Sequence, residues 1–211
     1  MSGRPPGASG EEKGWEDLDH LDPLDVCRKS LATYDHESRR YTLRFLNVDF
    51  VVILGERAVR PLSERNAGVP GLGLDFRIMI LDYLANCSEA HLSGRLVSGA
   101  QLKGGEFFFR GTHGLELEAL ISAFGSNPKE FRKVGMSVGG RGLELGDVSL
   151  QLSALPKVPI AYLLWAADEE FSARLSVLFD SSADSMLHLD TLRTAVTITN
   201  KFLLAAKPVA L

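Results

Sequence analysis

The densest group of side chains that could do chemistry lies between residues 168 and 190. This segment carries six carboxylates and one imidazole against a single basic residue, Arg174. The acidic residues and the histidine are Asp168, Glu169, Glu170, Asp180, Asp184, His188 and Asp190. Carboxylate oxygens and imidazole nitrogens are ligands of hard and borderline divalent metals, so this segment is the first candidate for a metal site.

Two predicted strands divide this acidic group into two clusters. Residues 160–167 are nearly all apolar and residues 174–179 alternate, which predicts an antiparallel hairpin with residues 168–170 in its turn. Asp180 then lies at the end of the hairpin opposite Asp168. Because neighbouring acidic side chains in a turn point apart, we interpret residues 168–170 as a solvated turn.

The second cluster consists of Asp180, Asp184 and His188, followed by Asp190. It lies on a loop that leads into a predicted helix, where oxygen and imidazole ligands could converge on a divalent metal whose bound water would be the reactive group. The competing interpretation is structural, because Asp and Ser are standard turn and N-cap residues. We favour capping and keep Asp180, Asp184 and His188 as metal ligands of an alternative, enzymatic hypothesis.

Other common signals of metal binding are absent from the sequence. It has no H-E-x-x-H zinc motif. Its two cysteines, Cys27 and Cys87, are far apart, so the chain alone provides neither a disulfide framework nor a cysteine-ligated cluster. We expect both to be small hydrophobic residues of helical segments.

Charge and hydropathy restrict the partners. A formal net charge of −4 and a pI near 5.8 give no general attraction to phosphate backbones, so we do not expect nucleic acid as a partner. The N-terminus has no apolar run typical of a signal peptide. The longest apolar stretch, residues 158–167, is shorter than the roughly 20 residues of a membrane span. We therefore expect a cytoplasmic protein with no membrane partner.

The elements that position these residues predict an α+β fold, an antiparallel sheet of hairpins packed by helices. We expect residues 1–19 to be a disordered acidic lead, with Trp15 docking back on the domain, and residues 20–211 to form a single domain. The predicted hairpins join residues 41–46 to 51–54, residues 95–102 to 106–110, and residues 160–167 to 174–179. One predicted helix begins at Pro23. Further helices are predicted for residues 74–87, 115–124, 128–134 and 190–206.

The C-terminal two thirds of the chain resemble a family of uncharacterised prokaryotic proteins. The resemblance rests on Gly146-Asp147-Val-Ser, Leu155-Pro-Lys-Val-Pro-Ile, Leu164-Trp165-Ala-Ala-Asp168-Glu169-Glu170-Phe171 and Leu178-Phe179-Asp180-Ser-Ser-Ala-Asp184. These segments are similar to the domain-of-unknown-function (DUF 3786) family, and the match extends over residues 73–206. The resemblance implies anaerobic bacteria and archaea as the source and a setting of corrinoid and one-carbon metabolism.

This setting suggests a second kind of site. His20 and His36 flank the first helix of the predicted domain, and a histidine over an apolar pocket can ligate the metal of a corrin or haem axially. The alternative for each is an ordinary surface or loop histidine. With Trp165 of the family segment, His20 and His36 are our candidate cofactor-binding residues.

The sequence therefore leads to three functional hypotheses. The first is a non-catalytic accessory protein of anaerobic metabolism that binds a partner protein or a cofactor-sized ligand, with a cobalamin-type corrinoid or haem as the candidates. The second is the metal-dependent enzyme that uses the Asp/His cluster. The third is a structural protein–protein interaction module, for which a large exposed apolar patch would argue.

Overall fold

The computed structural model describes residues 6–63, 72–110 and 114–208. Helices and two antiparallel sheets make up these ranges, which confirms the predicted α+β class. The helices are α1 (Pro6–His20), α2 (Pro23–Ser30), α3 (Leu74–Asn86), α4 (Gly105–Phe108), α5 (Glu118–Phe124), α6 (Pro128–Ser137), α7 (Ala183–Met186) and α8 (Leu189–Ala205). The strands are β1 (Thr33–Asp35), β2 (Arg40–Phe45), β3 (Val48–Ile53), β4 (Ala58–Pro61), β5 (Leu96–Ser98), β6 (Arg141–Leu143), β7 (Val148–Leu155), β8 (Val158–Trp165) and β9 (Arg174–Asp180).

The first sheet is a four-stranded antiparallel meander in the chain order β1-β2-β3-β4. The predicted pairing of residues 41–46 with residues 51–54 is confirmed by the pairing of β2 with β3. The turn between them is shorter than predicted, because Asp49 lies within β3. There it accepts hydrogen bonds from the Arg44 guanidinium, with 2.8 Å between Nε and Oδ1, and this cross-strand pair extends the hairpin.

The second sheet has five antiparallel strands in the order β5-β9-β8-β7-β6. β8 is the central strand, and every residue in it except Trp165 is buried. A nearly continuous apolar run is typical of a strand that is covered on both faces. The pairing of β8 with β9 confirms the predicted hairpin of residues 160–167 with residues 174–179.

The predicted hairpin between residues 95–102 and residues 106–110 is wrong. β5 pairs with β9 at the edge of the second sheet, and the segment after it folds into the helical turn α4. Gly104, with φ of 77°, leads into this turn. A Cβ on Gly105 would overlap the carbonyl oxygen of Gly99, so the glycine pair permits a tight helical turn where the sequence suggested a strand connection.

The structure also differs from the prediction of a disordered lead over residues 1–19. Residues 6–20 form α1, and the predicted docking of Trp15 is confirmed, since its side chain is only 3% exposed. Leu18 lies one turn further along the same helix and is buried as well. Two apolar residues at helical spacing therefore pack a segment of polar average composition onto the domain. Residues 1–5 lie outside the described residues.

α1 packs against α3 through a close contact and an ion pair. A Cβ on Gly14 would lie 2.7 Å from Cβ of Leu81, so the glycine lets the two helices approach closely. The Arg77 guanidinium donates two hydrogen bonds to the Glu11 carboxylate, at 2.6 and 3.1 Å. This hydrogen bonding lowers the pKa of Glu11, against the opposing effect of burial.

A single cluster of buried apolar side chains includes residues of both sheets and of the helices that cover them. The predicted stripe of the last helix is confirmed, because Leu192, Val196, Thr199 and Leu203 of α8 are all fully buried. Within the described ranges, no helix is long and apolar enough to cross a membrane.

Candidate functional site

The β8–β9 hairpin bears a surface cavity of about 420 Å³ at its connecting loop. The cavity is lined by Asp147, Trp165, Ala166, Asp168, Phe171, Ser172 and Arg174. Its volume lies within the range of small-molecule sites in proteins. The structure thus places the tryptophan and the acidic turn of the family segment around one concave surface.

The strand register brings an indole and a guanidinium of this cavity together. Trp165 is the last residue of β8 and pairs directly with Arg174, the first residue of β9. The Arg174 guanidinium carbon lies 4.4 Å from the centre of the Trp165 ring, which is a cation–π contact. The indole also packs near Gly146, where an added Cβ would lie 3.3 Å from the ring.

Two carboxylates shape the loop that closes the cavity. Asp168 accepts hydrogen bonds from the N–H groups of Glu170 and Phe171, at 2.9 and 2.7 Å, in an Asx-type turn. Asp147 accepts a hydrogen bond of 2.9 Å from the N–H of Ala166. The interpretation of residues 168–170 as a turn is therefore confirmed.

Phe171 is the exposed aromatic group of this loop, with 69% of its surface accessible. An exposed phenyl ring, a half-buried indole and a guanidinium within one cavity can stack on a flat organic molecule and pair with its anionic group. Trp165 was predicted as a site residue from the sequence, whereas Arg174 was not, because the one signal for Arg174 is its strand register with the tryptophan.

Asp180, the first of the predicted metal ligands, is a buried structural acceptor. Its carboxylate accepts hydrogen bonds from the N–H and hydroxyl of Ser93, at 2.9 and 2.8 Å, and from the N–H of Gly94, at 2.7 Å. The N–H and hydroxyl of Ser182 donate to it as well, at 3.0 and 2.5 Å. Burial raises the pKa of Asp180, but these hydrogen bonds outweigh it and lower the pKa to about 2.

Asp184 and His188 lie apart from that arrangement. Asp184 accepts a hydrogen bond of 2.5 Å from the N–H of Lys103. The exposed His188 has its Nδ1 3.5 Å from a carboxylate oxygen of Asp82. Among the described residues, no group of three or more His, Cys, Asp or Glu side chains is placed to hold a metal. The predicted metal cluster is therefore not assembled, and Asp180 has the turn role of the competing interpretation.

The two candidate axial histidines are not brought to the cavity either. His20 has its Nδ1 2.7 Å from the carbonyl oxygen of Glu16, and it lines a separate depression beside α1. The ring of His36 stands edge-on to Tyr34, with 4.9 Å between the ring centres. Of the three predicted cofactor-binding residues, only Trp165 lines the cavity.

Comparison with known proteins gives one match. The family model described as Domain of unknown function (DUF3786) matches residues 22–201, which include every residue that lines the cavity. No curated protein and no solved structure matches the chain.

Proposed function

The chain belongs to the DUF3786 family of domains of unknown function, and we propose that it is a non-catalytic accessory protein that binds a planar, anionic, cofactor-sized ligand in the Trp165 cavity. The observation that carries this proposal is the contact of Arg174 with the Trp165 ring inside a concave surface. A flat ligand would stack on the exposed Phe171 ring beside the indole, one face of which Arg174 covers, and its carboxylate would pair with the guanidinium.

A tetrapyrrole is the class of ligand that we favour. A corrinoid or haem presents a large flat ring with polar side chains at its edge, which matches an aromatic surface beside a cation. Because neither His20 nor His36 lines the cavity, binding would rest on stacking and ion pairing with no axial histidine from these two positions. An anaerobic setting, which the family resemblance implies, and the cytoplasmic location expected from the sequence belong to this proposal.

The roles of the cavity carboxylates support a binding function over a catalytic one. Asp147 and Asp168 each accept backbone hydrogen bonds that hold the loop. In general acid–base catalysis a carboxylate exchanges a proton with the substrate. Asp147 and Asp168 instead accept hydrogen bonds that stabilise the local fold. We therefore assign them to the architecture of the site.

A second candidate function is the binding of a partner protein through Phe171. This ring is largely exposed at the tip of the β8–β9 loop, and aromatic residues are enriched among the side chains that anchor protein interfaces. In this case the cavity would receive a side chain of the partner.

Titration of the purified full chain with haem or hydroxocobalamin tests the proposal. We expect saturable quenching of tryptophan emission and a shifted visible absorption band at one equivalent. Trp15 and Trp165 are the only tryptophans, so a Trp15→Phe variant should keep the quenching and a Trp165→Phe variant should lose most of it. A protein that leaves both spectra unchanged would overturn the tetrapyrrole proposal in favour of the partner protein.

A further inference from the structure

A second cavity, of about 530 Å³, lies between the C-terminal end of α2, the segment after α3 and the β7–β8 turn. It is lined by Arg28, Leu31, Glu89, His91, Leu92, Pro156 and Lys157. None of these residues lines the Trp165 cavity, so this site is independent of the proposed function.

Lys157 is the unusual residue of this second cavity. It lies in the two-residue turn between β7 and β8, a position where a lysine is ordinarily solvated. Here its residue is only 9% exposed, and its ammonium donates a hydrogen bond of 2.6 Å to the carbonyl oxygen of Ser88. Its backbone N–H donates to the hydroxyl of Tyr83, at 3.2 Å, which fixes the turn against α3.

The ammonium of the largely buried Lys157 has no carboxylate partner among the described residues. The acidic residue in the cavity lining, Glu89, pairs with Arg28 instead. An ammonium has three N–H donors, and among the described residues that of Lys157 has one hydrogen-bond acceptor, the Ser88 carbonyl. A positive charge that is largely removed from water is favoured when an anion is close. The lysine is thus placed to receive an anionic group from outside the chain.

Three residues of the lining are apolar, beside the Arg28–Glu89 ion pair and His91. Leu31 and Leu92 are exposed by 62% and 44%, and Pro156 completes the apolar lining. Leu31 ends α2 in the left-handed conformation, with φ of 60°, where glycine is the usual residue. A strained and exposed leucine beside a buried lysine is an arrangement that folding alone does not favour.

We propose that this second cavity binds a small aliphatic carboxylate, such as a medium-chain fatty acid. The carboxylate pairs with the Lys157 ammonium, and the hydrocarbon tail covers Leu31, Leu92 and Pro156. Charge complementarity sets the orientation, since Glu89 neutralises Arg28 and leaves Lys157 as the cation without a carboxylate partner in a lining that also holds three apolar residues. An aliphatic ligand fits better than an aromatic one, because His91 is the one aromatic side chain in the lining on which a ring could stack.

Calorimetric titration with octanoate and with octanamide tests this proposal on the unmodified full chain. The two probes share one tail and differ in charge, so octanoate should bind roughly tenfold more tightly. Equal affinity for the two probes, or no binding of octanoate, overturns the proposal. Binding of a leucine-terminated peptide without binding of octanoate also overturns it and assigns the cavity to a protein C-terminus.

Two variants locate the site. Lys157→Met keeps the length of the side chain and should abolish the preference for octanoate over octanamide, whereas the exposed Lys133→Met is the matched control and should keep it. Leu92→Ala, at a partly exposed position, should weaken both probes alike. If Leu92→Ala leaves both affinities unchanged, the tail does not lie in this cavity and the proposal fails.

Discussion

Arg174 and Trp165 are direct partners across the β8–β9 pairing, with the guanidinium carbon 4.4 Å from the centre of the indole ring. This contact joins the two strands at the edge of the cavity and gives the cavity its cation. It places Arg174, which was not predicted as a site residue, beside Trp165, which was.

The first prediction concerns this contact. Replacing Arg174 by Gln removes the cation–π interaction and uncovers the indole, so the free energy of unfolding should fall by about 0.5–1 kcal/mol. In a Trp15→Phe background, acrylamide should quench the emission of Trp165 more strongly after the change. Arg141→Gln is the matched control, because Arg141 is an exposed arginine of the same sheet that donates to Gln151. An unchanged quenching constant in the Arg174 variant would contradict the contact.

The second prediction concerns the docking of α1. Trp15→Ala removes a large buried side chain and should lower the free energy of unfolding by about 3–5 kcal/mol, measured by urea denaturation. Lys13→Ala, on the exposed side of the same helix, should change it by less than about 0.5 kcal/mol. Equal effects of the two substitutions would mean that the helix does not pack on the domain in solution.

The fold could be predicted where the signal is local. The alternation of residues 174–179 and the helical stripe that ends at Leu203 are patterns within one element, and both predictions are confirmed. The partner of β5 was not accessible in this way, because Leu96 pairs with Asp180, far along the chain. Composition also led to the prediction of disorder in the segment that forms α1, because an average over many polar residues hides a short apolar stripe.

The candidate site was predicted only in part, for a similar reason. Because Asp180 and Asp184 are close in sequence, they were predicted to bind the same metal. In the structure Asp180 instead accepts hydrogen bonds from Ser93 and Gly94, which lie far from it in the sequence. Trp165 was identified through the family segment. Its relation to Arg174 depends on the number of residues in the loop between two strands, and that number sets the register.

The third prediction concerns the hydrogen bonds of Asp180. Asp180→Asn replaces one carboxylate oxygen by an NH₂ group that confronts a backbone N–H such as that of Gly94. The free energy of unfolding at pH 7 should fall by about 2–3 kcal/mol, measured by chemical denaturation. Glu144→Gln makes the same change of charge at an exposed position and should have almost no effect. A comparable loss in both variants would point to net charge as the cause.

The fourth prediction follows from the low pKa of Asp180. Its folded-state pKa of about 2 lies below the unfolded value of about 3.9, so the ionised carboxylate stabilises the folded chain. That contribution is complete above the unfolded pKa and is lost as the pH falls through the folded pKa. The difference in stability between wild type and Asp180→Asn should therefore shrink from pH 5 towards pH 2. A constant difference over this range would exclude ionisation as its origin.

The fifth prediction distinguishes the helical turn α4 from the hairpin that the sequence suggested. In the structure a methyl group on Gly105 would overlap the backbone oxygen of Gly99, which cannot move aside as a flexible side chain could. Gly105→Ala should therefore lower the free energy of unfolding by about 2–3 kcal/mol. Gly55→Ala is the control, since no atom lies within 4 Å of its added Cβ, and thermal or urea unfolding compares the two. If Gly105→Ala is as mild as the control, the chain does not fold back on Gly99 at this point and the segment after β5 adopts another conformation.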